Sequence, residues 1–527
     1  MHRVAPFVLV LVAACAGSTQ PQGTAPVPVT TPVPVTTMER SGDGSLPRLA
    51  EPAPIATAEY ARRRQALIDS IGAGVLVIFG APAPAADYLP FAQLPDFRYL
   101  TGIMEPGAGY VAVKQGSRVQ ERLFVLERNP AREVWEGARL GPQGAQARTG
   151  MPTESADRFF VVLDSLVRVH RVLYSTTTTP VNMSLGADHT HAQQVLARLR
   201  QQQPDVMVHS IQSPIRNLRG AKSAAELDRI RRAVYISALA HREAMRSTQP
   251  GMNEFEIRAL MEYTFRRNGA EGPAYGSIVG SGPNSTTLHY QASDRFMNAG
   301  DVLLIDAAAS YAGYAADLTR TFPVNGTFSP EQRALYEIVL AAQKAAAARI
   351  RRGATWSELI QAANQEISRG LARLGLIDSA TATYECGSRE RPGTCPQMAL
   401  FYMHGLGHGV GLAVHDPDIS NTAGGFRPGS AVTIEPGIYV RADAFDFLLD
   451  SPANRAMIAR LRPALERYRN IGVRIEDVFI FDEQGVERVS AAAPREIAEI
   501  EALMREPGLG ETRRGDIVEW FRRGAGR

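Results

Sequence analysis

Four carboxylates and one imidazole stand in short apolar strings along the second half of this 527-residue chain. They are Asp306 and Asp317 in LLIDAAASYAGYAADLTRTF, His408 in MHGLGHGVGLAVHD, Glu435 in TIEPGIYV and Glu476 in GVRIED. As a set they are hard and oxygen-rich, which suits Mn²⁺, Co²⁺ or Zn²⁺ better than a thiolate site would. Two divalent ions carry four positive charges, and four carboxylates balance them. A paired centre of this kind lowers the pKa of a shared water and clamps both oxygens of an in-line displacement, so the implied chemistry is that of a two-metal hydrolase. Taken singly, each residue reads as an ordinary surface or capping acid, or as a packed histidine. Only the five contexts together point to a centre.

The ligands need elements that bring them together. Asp306 and Asp317 are eleven positions apart, which on a helix would separate them by about 16 Å along the axis. The apolar run Val302 to Ile305, the Ser310 and Gly313 turn residues, and the second run ending Thr319-Arg320-Thr321-Phe322 instead predict a hairpin with both acids on one side. Six alanines between the two acids (307, 308, 309, 312, 315, 316) argue for helix on propensity alone.

These strings resemble the metallopeptidases of the pita-bread fold, and most closely the Xaa-Pro aminopeptidases (aminopeptidase P) and their sister prolidases, over about Glu51 to Arg505. The resemblance implies two divalent ions per chain, manganese first, with cobalt or zinc as alternatives. Asp306 would bind one ion alone, Asp317 and Glu476 would bridge, and His408 with Glu435 would complete the second. Glu435 would also accept the proton of the attacking water, a hydroxide bridging the two metals being the nucleophile. His289 in IVGSGPNSTTLHY and His415 would donate to the developing oxyanion, where fixed donors contribute most. His404 and Arg474 would lie near the pocket for the residue after the cut, and Tyr439 would pack against its proline ring. Read singly, each of these histidines is as readily a packed residue, and Tyr439 a core aromatic. Ala308 stands where the family often has glycine.

Composition fits a soluble two-domain protein. Net charge is only +3, with no basic stripe interleaved with aromatics, so nucleic acid is excluded as a partner. The first residues read as an export signal. His2 and Arg3 precede an apolar run from Val4 to Ala14, too short to span a bilayer, and VAAC ending at Cys15 resembles a bacterial lipoprotein box. An ordinary signal peptide with an incidental cysteine is the alternative. Cys15 would then be lipidated and hold the protein to a membrane facing the periplasm, the outer membrane in a Gram-negative cell, or the exterior. PVPVTT occurs twice from Pro26 to Thr37 and reads as an extended tether. The remaining cysteines, Cys386 and Cys395, close a short loop. A disulfide is the natural state in an oxidising compartment, with free thiols or an incidental metal pair as alternatives.

The organisation expected is a leader at 1–15, a tether at 16–50, an α/β N-terminal domain at 51–213, the pita-bread catalytic domain at 214–508 and a tail at 509–527, an α/β (α+β) protein overall. In the N-terminal domain, FRYLTG (97–102) and REVWEGARLG (132–141) carry the resemblance, and Trp135 reads as a packing residue. Ser223 and Glu226 form a capping box that opens a long helix. Further helices are expected at Thr57 to Ile71, Glu254 to Asn268, Pro330 to Arg351, Trp356 to Leu374 and Pro452 to Tyr468, with a strand at HGLGH and an amphipathic tail from Pro494 to Met504. No internal repeat is visible. The function implied is release of the N-terminal residue from peptides with proline second, in a homo-oligomer that associates through its N-terminal domain. A prolidase limited to dipeptides is the first alternative, and a peptide-binding module without catalysis is a remote one.

Overall fold

The structure, a computed structural model, describes residues 50–86, 89–176, 187–388 and 390–509. The leader with Cys15, the tether and the tail from residue 510 lie outside the described residues. Among those described, no helix is long and apolar enough to cross a membrane.

The N-terminal domain is built on a six-stranded mixed sheet in the order Thr153–Ser155, Arg118–Val125, Gly109–Gln115, Gly74–Phe79, Val172–Ser175, Met207–Ser210. Successive side chains of a strand point to opposite faces. Leu76, Ile78, Tyr110 and Leu123 therefore join one core with Leu67 and Phe97, while Val75, Val77, Val111 and Phe124 join another with Phe159 and Leu163. Both faces are covered, which explains why Val75 to Phe79 reads as a continuous apolar run. Helix Gln212–Gly220 crosses the boundary expected at 213, and its Ile215 packs in the N-terminal core, so the seam falls at the end of this helix. Trp135 is not a packing residue: it is 76% exposed on the short helix Pro130–Glu136, beside Val134 at 80%.

The C-terminal domain has two halves, each with a pair of helices over an antiparallel three-stranded sheet. Helices Ala224–Ser247 and Glu254–Arg267 accompany strands Ile278–Ser281, Val302–Asp306 and Thr319–Pro323. Helices Pro330–Ala347 and Trp356–Arg373 accompany Ser430–Ile434, Asp477–Asp482 and Gly485–Arg488. The capping box forms as expected, Ser223 and Glu226 each accepting from the other's backbone N–H. Such boxes satisfy two donors that the first helical turn leaves open. Helix Pro330–Ala347 stops short of the expected Arg351, because Arg351 to Gly353 form a turn that joins Phe426. The long connection after Val440 carries helix Pro452–Tyr468, and the tail packs through helix Ile497–Leu503, with Ile500 fully buried. Cys386 and Cys395 are joined by a disulfide across the hairpin Thr383–Gly387/Pro392–Pro396.

The hairpin expected around Asp306 and Asp317 is present. Val302–Asp306 runs antiparallel to Thr319–Pro323, with Asp306 opposite Thr319, and a smaller hairpin, Ala309–Tyr311 with Tyr314–Ala315, closes its far end. The alanines are buried rather than helical: Ala307, Ala308, Ala309 and Ala316 pack in the main core, where strand packing overrides helix propensity. The HGLGH segment departs from expectation. It is irregular, held to Ser430–Ile434 through His408 and Val410 and bridged at Gly409. A methyl on Gly407 would meet the carbonyl oxygen of Thr433 at 2.1 Å, so this close approach requires glycine.

Candidate metal centre and active site

The ligand residues sit where strands end or break. Asp306 ends one strand and Asp317 lies just before the next; Glu435 sits between Ile434 and Gly437, and Glu476 between Arg474 and Asp477. These breaks turn the side chains into one cleft. It has a volume of about 260 Å³ and is lined by all five candidate ligands together with His289, His404, His415 and Arg474. Three overlapping groups place possible ligand atoms within 4.8 Å of one another: Asp306, Asp317 and Glu476; His408, Glu435 and Glu476; and Asp317, His408 and His415. Asp317, His408 and Glu476 each occur in two groups. Geometry thus also admits His415 as a ligand.

Electrostatics make this a site under pressure to hold cations. Burial raises the pKa of Asp317 to about 6, with the neighbouring Asp306 adding to the rise. Burial also pushes Glu476 well above the carboxylate range, with Asp317 next in effect. The Nε2 of His408 lies 3.4 Å from Asp317 and 3.3 Å from Glu435. Burial opposes charge on this ring, yet its hydrogen bonds to the two acids outweigh burial and push it up to about 11. The same pairing holds Glu435 below its ordinary value against the effect of burial. An imidazole set between two acids is driven to hold a cation, whether proton or metal. Its Nδ1 faces the carbonyl of Gly409 at 3.1 Å, which fixes Nε2 as the atom presented to the cleft.

Two further observations test whether the residues fit metal ions. Oε1 of Glu476 is buried with no hydrogen-bond partner among the described residues, and an unpaired buried carboxylate oxygen is costly. Tyr275 places its hydroxyl 2.5 Å from Oδ1 of both Asp306 and Asp317. One phenolic proton serves only one of them. The set therefore fits divalent ions. Tyr275 was not among the residues singled out from sequence; nothing in AYGS marks it, and only the fold brings it to both acids. Such outer partners of metal ligands typically contribute about 10- to 100-fold in affinity or activity. Tyr275→Phe is expected to lower metal affinity or turnover by that factor with an unchanged circular dichroism spectrum; wild-type values for both would refute the role.

A relay of polar groups underlies the cleft. Arg474 donates from Nη2 to Asp306 at 2.6 Å, from Nε to Thr319 at 3.2 Å and from Nη1 to the hydroxyl of Tyr439 at 2.8 Å. That hydroxyl is 2.8 Å from Nε2 of His404, whose Nδ1 is 2.8 Å from the carbonyl of Gly405. Because Arg474 can only donate, the consistent assignment has Tyr439 donating to Nε2 and a neutral His404 donating from Nδ1. Burial, which lowers the pKa of His404, agrees. One expectation changes here. Tyr439 is fully buried beneath the cleft and positions its neighbours rather than packing on a substrate ring. Both nitrogens of His404 are engaged within the protein, so it offers a ring surface. His415 is exposed, its ring 4.1 Å from that of His408.

An α/β domain ahead of a two-halved domain that gathers four acids and a histidine is the plan of a pita-bread metallopeptidase. Residues 228–483 match Metallopeptidase family M24, and residues 60–174 match the Aminopeptidase P, N-terminal domain. The Xaa-Pro aminopeptidase of Escherichia coli is 34% identical over 464 residues, covering 85% of this chain and 98% of its own. That of Haemophilus influenzae is 35% identical over 424 residues, 79% of this chain and 89% of its own. The structure of E. coli aminopeptidase P with the inhibitor Pro-Leu aligns over 86% of this chain and 99% of that one, with a TM-score of 0.71 and 32% identity. Proline aminopeptidase P II from Yersinia pestis aligns equally well, with a TM-score of 0.71. The chain belongs to the aminopeptidase P family of M24 metallopeptidases.

Proposed function

We infer that the protein is an Xaa-Pro aminopeptidase that removes the N-terminal residue from peptides with proline in second place. The observation that carries this reading is the gathering of Asp306, Asp317, His408, Glu435 and Glu476 in one cleft, on a chain similar over most of its length to enzymes of that name. Asp306, Asp317 and Glu476 would hold one divalent ion, and Asp317, Glu476, His408 and Glu435 a second, with manganese the first choice. A zinc-substituted form of the E. coli enzyme has been solved in complex with product. When bound, such a pair supplies an acidified water and Lewis-acid polarisation of the scissile carbonyl.

The chain's own residues supply the rest. Glu435 is kept ionised by His408, which suits it to accept the proton of the attacking water. His289 and His415 line the cleft and serve as donors to the carbonyl oxygen as charge develops there. Arg474 fixes Asp306 and, through Tyr439, the ring of His404, forming the wall for the residue after the cut.

Activity is tested by incubating the metal-loaded protein with Ala-Pro-Ala and with Ala-Pro, following alanine by mass spectrometry. Alanine is expected from the tripeptide. Efficient cleavage of Ala-Pro with none of Ala-Pro-Ala would replace this reading by a prolidase. Release from the tripeptide fits an enzyme exported on a tether, which meets peptides of mixed length.

For location we propose a lipid anchor at Cys15, supported by the small residues before it and the Pro/Thr-rich stretch behind it. Ala16 carries no acidic signal for inner-membrane retention, which favours the outer membrane. Cys15→Ser is expected to release the protein from membranes or stall its processing. Unchanged membrane fractionation of that variant would rule the anchor out.

A further inference from the structure

A second cavity, of about 280 Å³, lies in the seam between the two domains and away from the metal cleft. Four arginines line it, Arg64 and Arg98 and Arg148 from the N-terminal domain and Arg229 from helix Ala224–Ser247, and no aspartate or glutamate does. One of the four charges is met nearby, since Arg64 pairs with Glu121 at 2.7 Å. Glu59 and Glu226 are taken by Arg63, which does not line the cavity. The other three have no carboxylate partner among the described residues. Arg98 donates to the carbonyl of Ala312 at 2.5 Å, and Arg229 to those of Ala225 and Ala53 at 2.5 and 2.7 Å. Carbonyl acceptors orient a guanidinium but leave its charge uncompensated.

The wall opposite Arg98 is equally specific. Ala312 and Gly313 form the tip of the hairpin between Asp306 and Asp317, both with positive φ, and a methyl on Gly313 would fall within 2 Å of the Arg98 guanidinium. Tyr60, whose hydroxyl has no partner among the described residues, also lines the cavity, within the electrostatic reach of Arg98, Arg148 and Arg229. Guanidinium groups approaching from separate elements match an anion with several oxygens in three dimensions better than a flat carboxylate, and charge-assisted bonds to it are strong.

We propose that this seam binds a small tetrahedral oxyanion of the phosphate class, held by Arg98, Arg148, Arg229 and the hydroxyl of Tyr60, joining the N-terminal domain to the tip of the metal hairpin. The size admits inorganic phosphate or pyrophosphate, and a phospholipid headgroup offers the same chemistry.

The test is calorimetric titration of the full metal-loaded protein with pyrophosphate and, separately, phosphate, at matched ionic strength. Vesicles of phosphatidylglycerol against phosphatidylcholine separate a headgroup from a free anion. A saturable site is expected for the free anion or for phosphatidylglycerol, weakened about tenfold in Arg148→Gln and again in Arg229→Gln, as the loss of one charged hydrogen-bond donor implies. Arg148 is exposed and makes no side-chain bond among the described residues, so that variant keeps the fold. Anion bound at the metals instead would be unaffected by these substitutions. No saturable binding from either source, or wild-type affinity in Arg148→Gln, overturns the proposal. The readout is binding, so it stands or falls separately from peptidase activity.

Discussion

Glu476→Ala is expected to abolish turnover and to strip the protein of bound metal. Glu476 is 1% exposed and belongs to two of the three candidate ligand groups, so its loss would remove a carboxylate that both have in common. Its Oε2 accepts from Thr319 at 2.7 Å, which aims Oε1 at the cleft. Changes to residues that merely support ligands cost about 10- to 100-fold. Loss of a shared ligand is therefore expected to cost several powers of ten in kcat/KM, because without it no activated water forms at neutral pH. Metal analysis after gel filtration, alongside cleavage of Ala-Pro-Ala, checks both effects. Retained activity with two ions per chain would sink the assignment. Asp317→Ala is expected to behave in the same way.

The residue following Glu476 is expected to govern stability rather than chemistry. Asp477 and Arg320 are both fully buried. Arg320 donates to Asp477 at 2.6 Å and to the carbonyls of Glu476, Thr319, Pro494 and Ala493. Asp477 also receives Arg495 and Ser490, each at 2.6 Å, and Gln343 at 2.9 Å. Breaking a buried pair that is satisfied in this way costs about 3–5 kcal/mol, since the other charge is left stranded. Asp477→Ala is expected to destabilise the catalytic domain by that amount and, because Arg320 holds the main chain at Glu476, to weaken metal binding with it. Urea unfolding followed by tryptophan fluorescence measures the first effect; a midpoint unchanged from wild type would refute it.

The pH dependence has a definite sign. Burial would raise the pKa of Asp477, but Arg320, Arg488 and Arg495 outweigh burial and hold it well below the carboxylate range. A depressed native pKa gives stability that is complete above the unfolded value near about 4 and is lost as pH falls towards the native value. The wild-type protein should therefore keep this group's full contribution, unchanged, between neutral and mildly acidic pH and lose it only as pH falls below about 4, a limb that Asp477→Ala should lack.

Much of this was legible from residues alone, and the exceptions have physical causes. The capping box at Ser223 and Glu226 is local chemistry, so it appears where sequence places it. The Asp306–Asp317 hairpin was readable from spacing and the turn at Gly313, although its alanines favour helix; burial on both faces decided the matter. His404 and Tyr439 could be placed in the right region, but their hydrogen-bond partners could not be read, because a buried relay depends on which polar groups meet across strands. Tyr275 is one tyrosine among 16, and only the approach of its loop to the hairpin gives it a role. The exposure of Trp135 and the arginine-lined seam are likewise products of tertiary placement. Positions 64, 98, 148 and 229 share no pattern in sequence.

If Asp306, Asp317, His408, Glu435 and Glu476 together hold two divalent ions, peptidase activity must follow metal occupancy, and a metal titration measures both. Chelator-treated protein is loaded stepwise with Mn²⁺, and bound metal and alanine release from Ala-Pro-Ala are measured on the same samples. The expected result is negligible release without metal, full activity at two ions per chain, and neither binding nor release in Glu476→Ala. Cleavage by the metal-free protein, or full activity of a Glu476→Ala variant, would rule out a two-metal peptidase centre at these residues.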